Sequence, residues 1–351
     1  MRAMQVVDWG KPLELRELPT PEPQGKEVLV RITACGVCHS DLHIWSGYFD
    51  LGGGEKLRMA DRGVHPPFTM GHEPLGTVAA LGPEAEGVEV GRSYIVFPWI
   101  GCGKCAACRQ NATEQLCNQP RVIGTRVPGG YADHVIVPDA KYLVDYEGVP
   151  EDLACTYACS GLTAYSALKK VGQLTAEDTL VTIGAGGVGL SAVHLAAAVT
   201  PAKLMVAEID GTKRAAARQV GAHDTIDNGE PDAVAKAIEL TGGGAAATID
   251  FVGRPETAKF GLDILRRGGR QVQVGLYGDR LPLSLAPLAM TMKSLIGSYV
   301  GNLDEMHELM ALVQAGKVPP IPIETRPLEA ANSAIEDLLA GKVLGRLVLK
   351  P

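Results

Sequence analysis

Apolar positions along the first third of the chain come in short runs broken by glycine and proline. Between about Gln5 and Pro138 the stretches KEVLVRITA, LGTVAALG, SYIVFPW and YADHVIVP carry the β-branched, half-alternating character of strands, and the punctuation between them is that of tight turns. This pattern predicts an all-β barrel. From about Gly161 to Ser298 the rhythm changes. Strand-like runs TLVTIG, KLMVAE, HDTID, AATIDFV, RQVQVGL and KSLIGSY are separated mostly by stretches of helical period, which predicts a doubly wound α/β domain with a parallel sheet. The last fifty residues hold two helix-like runs and end on the strand GRLVLKP, which is expected to return to the first domain. No internal repeat or low-complexity tract interrupts this order.

The nearly uncharged segment Thr179–Val199 is long enough to cross a bilayer, but its internal GAGGVG divides it into a buried strand, a turn and a covered helix. Composition narrows the class of function. The 351 residues are 46% hydrophobic with 42 glycines, enough for two domains with sizeable cores, and 33 basic against 40 acidic residues give a net charge of −7. With no Lys/Arg run, nothing points to nucleic acid or an anionic membrane, and small-molecule chemistry is the expectation. The N-terminus lacks the apolar core of a signal peptide, and eight cysteines are too few for a disulfide scaffold in so long a chain. The chain therefore reads as a cytoplasmic protein whose thiols are free or hold metal.

Three clusters carry candidate chemistry. Gly184, Gly186 and Gly189 form G-x-G-x-x-G around Gly187 and Val188, after a strand and at the start of a helix, where backbone amides can approach a pyrophosphate. Glu208 ends the next strand about twenty residues on, placed to accept ribose hydroxyls; the plainer reading is a helix–strand turn and a solvated acid. Cys102, Cys105, Cys108 and Cys117 can close a four-thiolate shell around zinc, a structural site with no position left for substrate, although the first three spacings also suit an iron–sulfur cluster. The segment CGVCHSDLH, Cys35 to His43, holds two thiols, two imidazoles and a carboxylate. A metal held by Cys38, His72 and Cys159 would keep a fourth position open, as catalytic zinc does. A Cys35–Cys38 redox pair is the rival reading, and Cys155 reads as packing.

Taken together, RITACGVCHSDLH, GHEPLGTVAALG, the four-cysteine lobe, GAGGVG and the closing GKVLGRLVLK occur in the order of one family, across nearly the whole chain. The sequence resembles the zinc-dependent alcohol dehydrogenases of the medium-chain dehydrogenase/reductase superfamily. The resemblance implies a GroES-like β-barrel catalytic domain over residues 1–158, with the zinc lobe at about 98–120. It also implies a Rossmann domain over 159–299 and a return to the catalytic domain over 300–351. It implies two zinc ions per chain: one catalytic, on Cys38, His72 and Cys159 with the acid Glu73 nearby, and one structural. Ser40 and His43 match the proton relay. His39 falls at the pyrophosphate of NAD, Thr163 at the nicotinamide, Lys213 near the adenosine ribose and Arg346 near the phosphates. The implied substrate is a small alcohol, aldehyde or ketone, and the implied assembly a homodimer or homotetramer built on the strand KSLIGSYVG. A zinc-independent reductase of the same fold, or a non-catalytic zinc-stabilised NAD-binding protein, are the alternatives; neither accounts for metal ligands together with a relay.

Two features depart from the family. The lobe's last spacer has eight residues where seven are usual. The segment between Gly47 and His72 is longer than in compact members, and its Tyr48 and Phe49, with Trp45 and Trp99, are expected either to line the substrate cleft or to form a flap on the barrel.

Overall fold

The structure is a computed structural model that describes residues 1–109 and 113–351. One strand organises the first domain. Val28–Val37 is buried along almost its whole length because it has partners on both edges. Pro74–Leu81 runs antiparallel along one edge, while His134–Val137 and then Arg346–Lys350 share the other. Two register shifts against Pro74–Leu81 bend the strand, as bulges do in barrels. Each of its buried Val, Leu and Ile side chains contributes about 1.5–3 kcal/mol before chain entropy is charged against it. Ser93–Val96 and Leu143–Val144 extend this sheet on one side. On the other lies Ile323–Pro327, parallel to the final strand and absent from the sequence reading because its residues alternate poorly.

The second domain has six parallel strands in the spatial order Asp224–Ile226, Lys203–Ala207, Thr179–Ile183, Ala245–Asp250, Leu265–Gln273, Ser294–Gly297. The chain order reverses between Thr179–Ile183 and Ala245–Asp250, and that switch is where open α/β sheets form a ligand crevice. Both strands are buried nearly throughout, which explains their continuous apolar runs. The glycine turn follows the first of them and opens the helix Gly187–Val199. Among the described residues no helix is long and apolar enough to cross a membrane.

The final strand ties the two ends of the chain together. Leu347, Val348 and Leu349 pair with Val37, Gly36 and Cys35, so Arg346 is carried to the end of the central strand, beside Cys38. The segment Tyr48–Arg58 forms an antiparallel hairpin. It reaches across to the second domain: a Cβ on Gly52 would lie 2.6 Å from the Asp279 carbonyl carbon, and Glu55 pairs with Arg280 at 2.9 Å.

Candidate active site and metal centres

Cys38 is the residue at which the central strand gives way to the helix His39–Ser46. Three residues on, Asp41 turns back and accepts the Cys38 backbone N–H at 2.9 Å, as an acid at the third helical position does in a capping box. The same buried carboxylate accepts the Tyr131 hydroxyl at 3.0 Å and faces His72 Nδ1 at 3.0 Å. A proton on Nδ1 leaves His72 Nε2 as the free lone pair, and Nε2 has no partner among the described residues. The sequence reading counted Asp41 in its stretch without giving it a task. The signal was the capping position, and its partner His72 lies too far along the chain for spacing to reveal.

Cys38, His72, Glu73 and Cys159 bring one ligand atom each to within 4.8 Å of one another, all buried. The two sulfurs are 4.0 Å apart, close to the ~3.8 Å that tetrahedral bonds of about 2.3 Å to one zinc require. The contact between the two sulfurs lowers the Cys38 pKa and, with burial, raises that of Cys159. An orphaned imidazole nitrogen, two thiols and a carboxylate in one buried spot are a donor set that fits zinc.

Glu73 sits where a Cβ on Gly36 would stand 1.8 Å from its Oε2, so the glycine of CGVC makes room for the acid. Arg346, buried as well, donates from Nη2 to that same oxygen. Burial pushes the Glu73 carboxyl up and the guanidinium pulls it back. Arg346 also packs under the glycine turn, its Cδ 2.8 Å from where a Gly187 Cβ would be, so it touches both the metal group and the turn.

In the lobe, the sulfurs of Cys102, Cys105, Cys108 and Cys117 again lie within 4.8 Å of one another. Cys102–Cys108, Cys105–Cys108 and Cys105–Cys117 are 3.9, 3.4 and 3.8 Å apart. These spacings fit one ion; a cluster would interpose its own iron and sulfide atoms and hold the thiolates farther apart. Backbone N–H groups of Lys104 and Cys105 point at Cys102 Sγ and lower its pKa to about 6, favouring the thiolate a metal needs. Glu114 fastens the lobe to the barrel by accepting from Gly101 N, Tyr142 Oη and Lys141 Nζ. The path of the longer spacer between Arg109 and Thr113 lies outside the described residues.

A cleft of about 560 Å³ runs between the domains. Cys38, His39, Ser40, His43, Cys159 and Thr163 line one end of it. Gly184, Gly186, Gly187, Val188, Gly189 and Arg346 line its middle, and Glu208 and Lys213 lie beyond. Gly184 needs its positive φ of 90°, and a Cβ on Gly189 would stand 1.9 Å from the Gly184 carbonyl oxygen. Around Gly186 nothing lies within 4 Å of an added Cβ, so that face is open to a ligand. The Glu208 carboxylate accepts the Ala185 N–H at 2.7 Å and the Asp210 N–H at 3.0 Å. Asp210 caps the next helix, accepting from Thr212 and Lys213 N–H, which brings Lys213 to the cleft. Burial lowers the pKa of His39 and takes His43 down to about 4.

The aromatic expectation divides. Phe49 stacks on His43 at 4.8 Å between centroids and lines the cleft, as does Trp99. Trp45 instead donates to the Lys11 carbonyl, and the Tyr48 ring lies under Lys56 Nζ, so neither faces the cleft. Cys35 is buried against Gly71 and Gly130, the sulfur in contact with Cys38 is that of Cys159, and Cys155 donates to the Asp152 carbonyl.

Residues 24–148 match the alcohol dehydrogenase GroES-like domain family, and residues 187–315 match the zinc-binding dehydrogenase family. The chain is 39% identical to an NAD-dependent alcohol dehydrogenase of Sulfurisphaera tokodaii, over all of both chains. It is 30% identical to a D-arabinose 1-dehydrogenase (NADP+) of Saccharolobus solfataricus, over all of this chain and 97% of that one. The crystal structure of the alcohol dehydrogenase of Aeropyrum pernix superposes with a TM-score of 0.91 at 31% identity, covering both chains completely. With a barrel and a doubly wound sheet meeting at a cleft that holds a zinc-type donor set and a dinucleotide turn, this chain belongs to the zinc-type alcohol dehydrogenases of the medium-chain dehydrogenase/reductase superfamily.

Proposed function

We propose that the chain is a zinc-dependent alcohol dehydrogenase that moves hydride reversibly between a primary or secondary alcohol and NAD, giving an aldehyde or ketone. The observation that carries this reading is that the buried thiols Cys38 and Cys159 and the glycine turn face one and the same cleft. When bound, zinc supplies a Lewis acid that acidifies the alcohol, and NAD supplies the hydride acceptor. Cys38, Cys159 and His72 Nε2 would hold the catalytic metal, with Asp41 fixing the imidazole. Cys102, Cys105, Cys108 and Cys117 would hold a second, structural zinc.

Ser40 would take the alcohol proton, and His43, kept neutral by burial, would be the base that passes it toward solvent. Glu73 would be a spare acid beside a bound metal, held back by Arg346. Thr163 would pack on the nicotinamide. His39, Arg346 and the backbone of Gly184 to Gly189 would face the pyrophosphate, and Glu208 and Lys213 the adenosine ribose. Mixing protein, NAD and a panel of alcohols should raise the absorbance of reduced cofactor, and a chelator should abolish the rise. A silent panel would reject the enzyme reading, and chelator-resistant turnover would reject zinc.

The choice of NAD over NADP rests on Glu208, whose charge would repel a 2′-phosphate by about one to a few kcal/mol. Arg214, a candidate phosphate partner, is already engaged with the Glu208 carbonyl at 2.5 Å and with Asp227 at 2.9 Å. The ratio of kcat/KM with the two cofactors should favour NAD and shrink in Glu208→Ala; a wild-type preference for NADP would remove Glu208 from the ribose.

A further inference from the structure

The substrate end of the cleft carries positive charge that the reaction above does not use. Arg62 closes the short helical turn Ala60–Arg62, after which Gly63 at φ 76° reverses the chain. Its guanidinium lies 5.6 Å from the Phe49 ring centroid, and Phe49 is the ring stacked on His43. Arg62 lines the cleft together with Trp99, Thr125 and Tyr299. Ring contacts mark the route from the metal group to it: Trp99 is 5.7 Å from His72 and 5.8 Å from Tyr299.

A second arginine stands behind the first. Arg126 Nη1 donates to the Arg62 carbonyl at 2.7 Å, and Arg126 Nε is buried with no hydrogen-bond partner. Burial lowers the pKa of both partly buried guanidiniums, and the charge of Arg62 lowers that of Arg126 further. Among the described residues neither side chain makes an ion pair. Arg254, which lines the same cleft, likewise makes no ion pair among the described residues and lies over the Tyr277 ring. Among the described residues the one acid lining the cleft is Glu208, at the glycine-turn end. A neighbouring cavity of about 460 Å³ shares Phe49, Arg62 and Tyr299 and has two acids on its wall, Asp50 and Asp279. Both are turned to their own loops, accepting from Gly52 N and Arg280 N.

Two desolvated cations without a counter-charge destabilise the empty site, and an arriving anion relieves that cost while using the planar guanidinium fork. We propose that the substrate of this enzyme carries an anionic group, a carboxylate or a phosphate, remote from its reacting carbon, and that Arg62, backed by Arg126, receives it. This rests on the alcohol dehydrogenase reading of the same cleft and narrows its substrate to hydroxy acids, hydroxyalkyl phosphates and the matching aldehydes or ketones.

The test is a ratio. kcat/KM is measured for ω-hydroxyalkanoates of increasing length, 4-hydroxybutanoate and 6-hydroxyhexanoate among them, for 4-hydroxybutyl phosphate, and for the 1-alkanols of matching length. At the best length the anionic substrate should exceed its neutral partner by about tenfold or more, since one charge-assisted hydrogen bond contributes on that order. Arg62→Leu should bring the ratio to about one, Arg62→Lys should retain part of it, and Arg126→Gln should weaken it. The phosphate and carboxylate arms show which anion the site takes. A wild-type ratio of one or below at every length with both anions, or a ratio unmoved in Arg62→Leu, overturns the proposal. Turnover of neutral alcohols with no anionic preference would sink this inference alone. If nothing is turned over, the dehydrogenase reading falls, and calorimetric titration of the protein with 4-hydroxybutanoate and with 4-hydroxybutyl phosphate decides the anion site. Heat lost in Arg62→Leu supports the site, and no heat from either in the wild type overturns it.

Discussion

Cys159 and Cys105 bring the same atom to sites of opposite character. Cys159 is buried beside Cys38, His72 and Glu73 and faces the cleft, whereas Cys105 belongs to four cysteines whose sulfurs close on each other in the lobe. Metal analysis should therefore find about two zinc per chain. Cys159→Ala should abolish turnover at little cost in melting temperature and retain about one zinc. Cys105→Ala should lower the melting temperature by several degrees, because a closed metal shell contributes folding energy. Similar behaviour of the two variants would erase the distinction. His43 supplies a prediction with a defined sign. Its folded pKa of about 4 lies below the ordinary 6.5, so between those values the unfolded chain binds the extra proton. The stability that goes with keeping His43 neutral is complete above about pH 6.5 and is lost as the pH falls toward 4. In melting curves taken across that window His43→Gln should show a shallower acid decline than the wild type, the remaining decline belonging to His39, His134 and His194, whose pKa values are also lowered. Parallel declines would mean that the imidazole is not desolvated.

At the scale of elements, the glycine turn separates two reasons for having no side chain. A methyl at Gly189 meets backbone at 1.9 Å, which only a shift of helix against strand can relieve, at about 1–3 kcal/mol or more. A methyl at Gly186 meets no protein atom within 4 Å, and the residue's φ of −71° suits alanine. Gly189→Ala should therefore lower both melting temperature and NAD affinity, whereas Gly186→Ala should keep the melting temperature and weaken NAD alone. Equal affinity for NAD in wild type and Gly186→Ala, measured by calorimetry, would show that the dinucleotide does not cross the turn. The hairpin Tyr48–Arg58 is an element the sequence displayed only as extra length. Its glycines at 52 and 53 permit the close approach to Asp279 and Arg280 that seats Phe49 at the mouth of the cleft.

On the scale of the whole molecule the parallel sheet has an unpaired edge. Ser294–Gly297 ends it, with Leu295 44% exposed and Leu285, Met290 and Met292 each more than 70% exposed nearby. Apolar side chains beside free strand hydrogen-bonding groups favour pairing with a second copy across a two-fold axis. Light scattering should find a dimer or a multiple of it, and Leu295→Glu should shift the population toward monomer. A monomeric wild type at micromolar concentration would show that the edge is covered in another way.

Periodicity was sufficient for the well-buried elements, because a strand buried on both faces and a helix on a sheet write their burial directly into the residue order, whereas the exposed Ile323–Pro327 strand and the Tyr48–Arg58 hairpin left no such pattern. The six parallel strands, the glycine turn and the central strand of the barrel were legible for that reason. The compact Cys102–Cys117 lobe could be read from spacing alone, since its ligands are neighbours in the chain. Cys38, His72 and Cys159 could be grouped only as a candidate by donor type and then by resemblance, because no local pattern ties residues 121 positions apart. Asp41 behind His72, Arg346 on Glu73, and Arg62 with Arg126 at the substrate end were decided by tertiary structure. Each depends on strand register or loop closure that brings distant segments together, and on burial that turns an ordinary surface charge into one needing a partner.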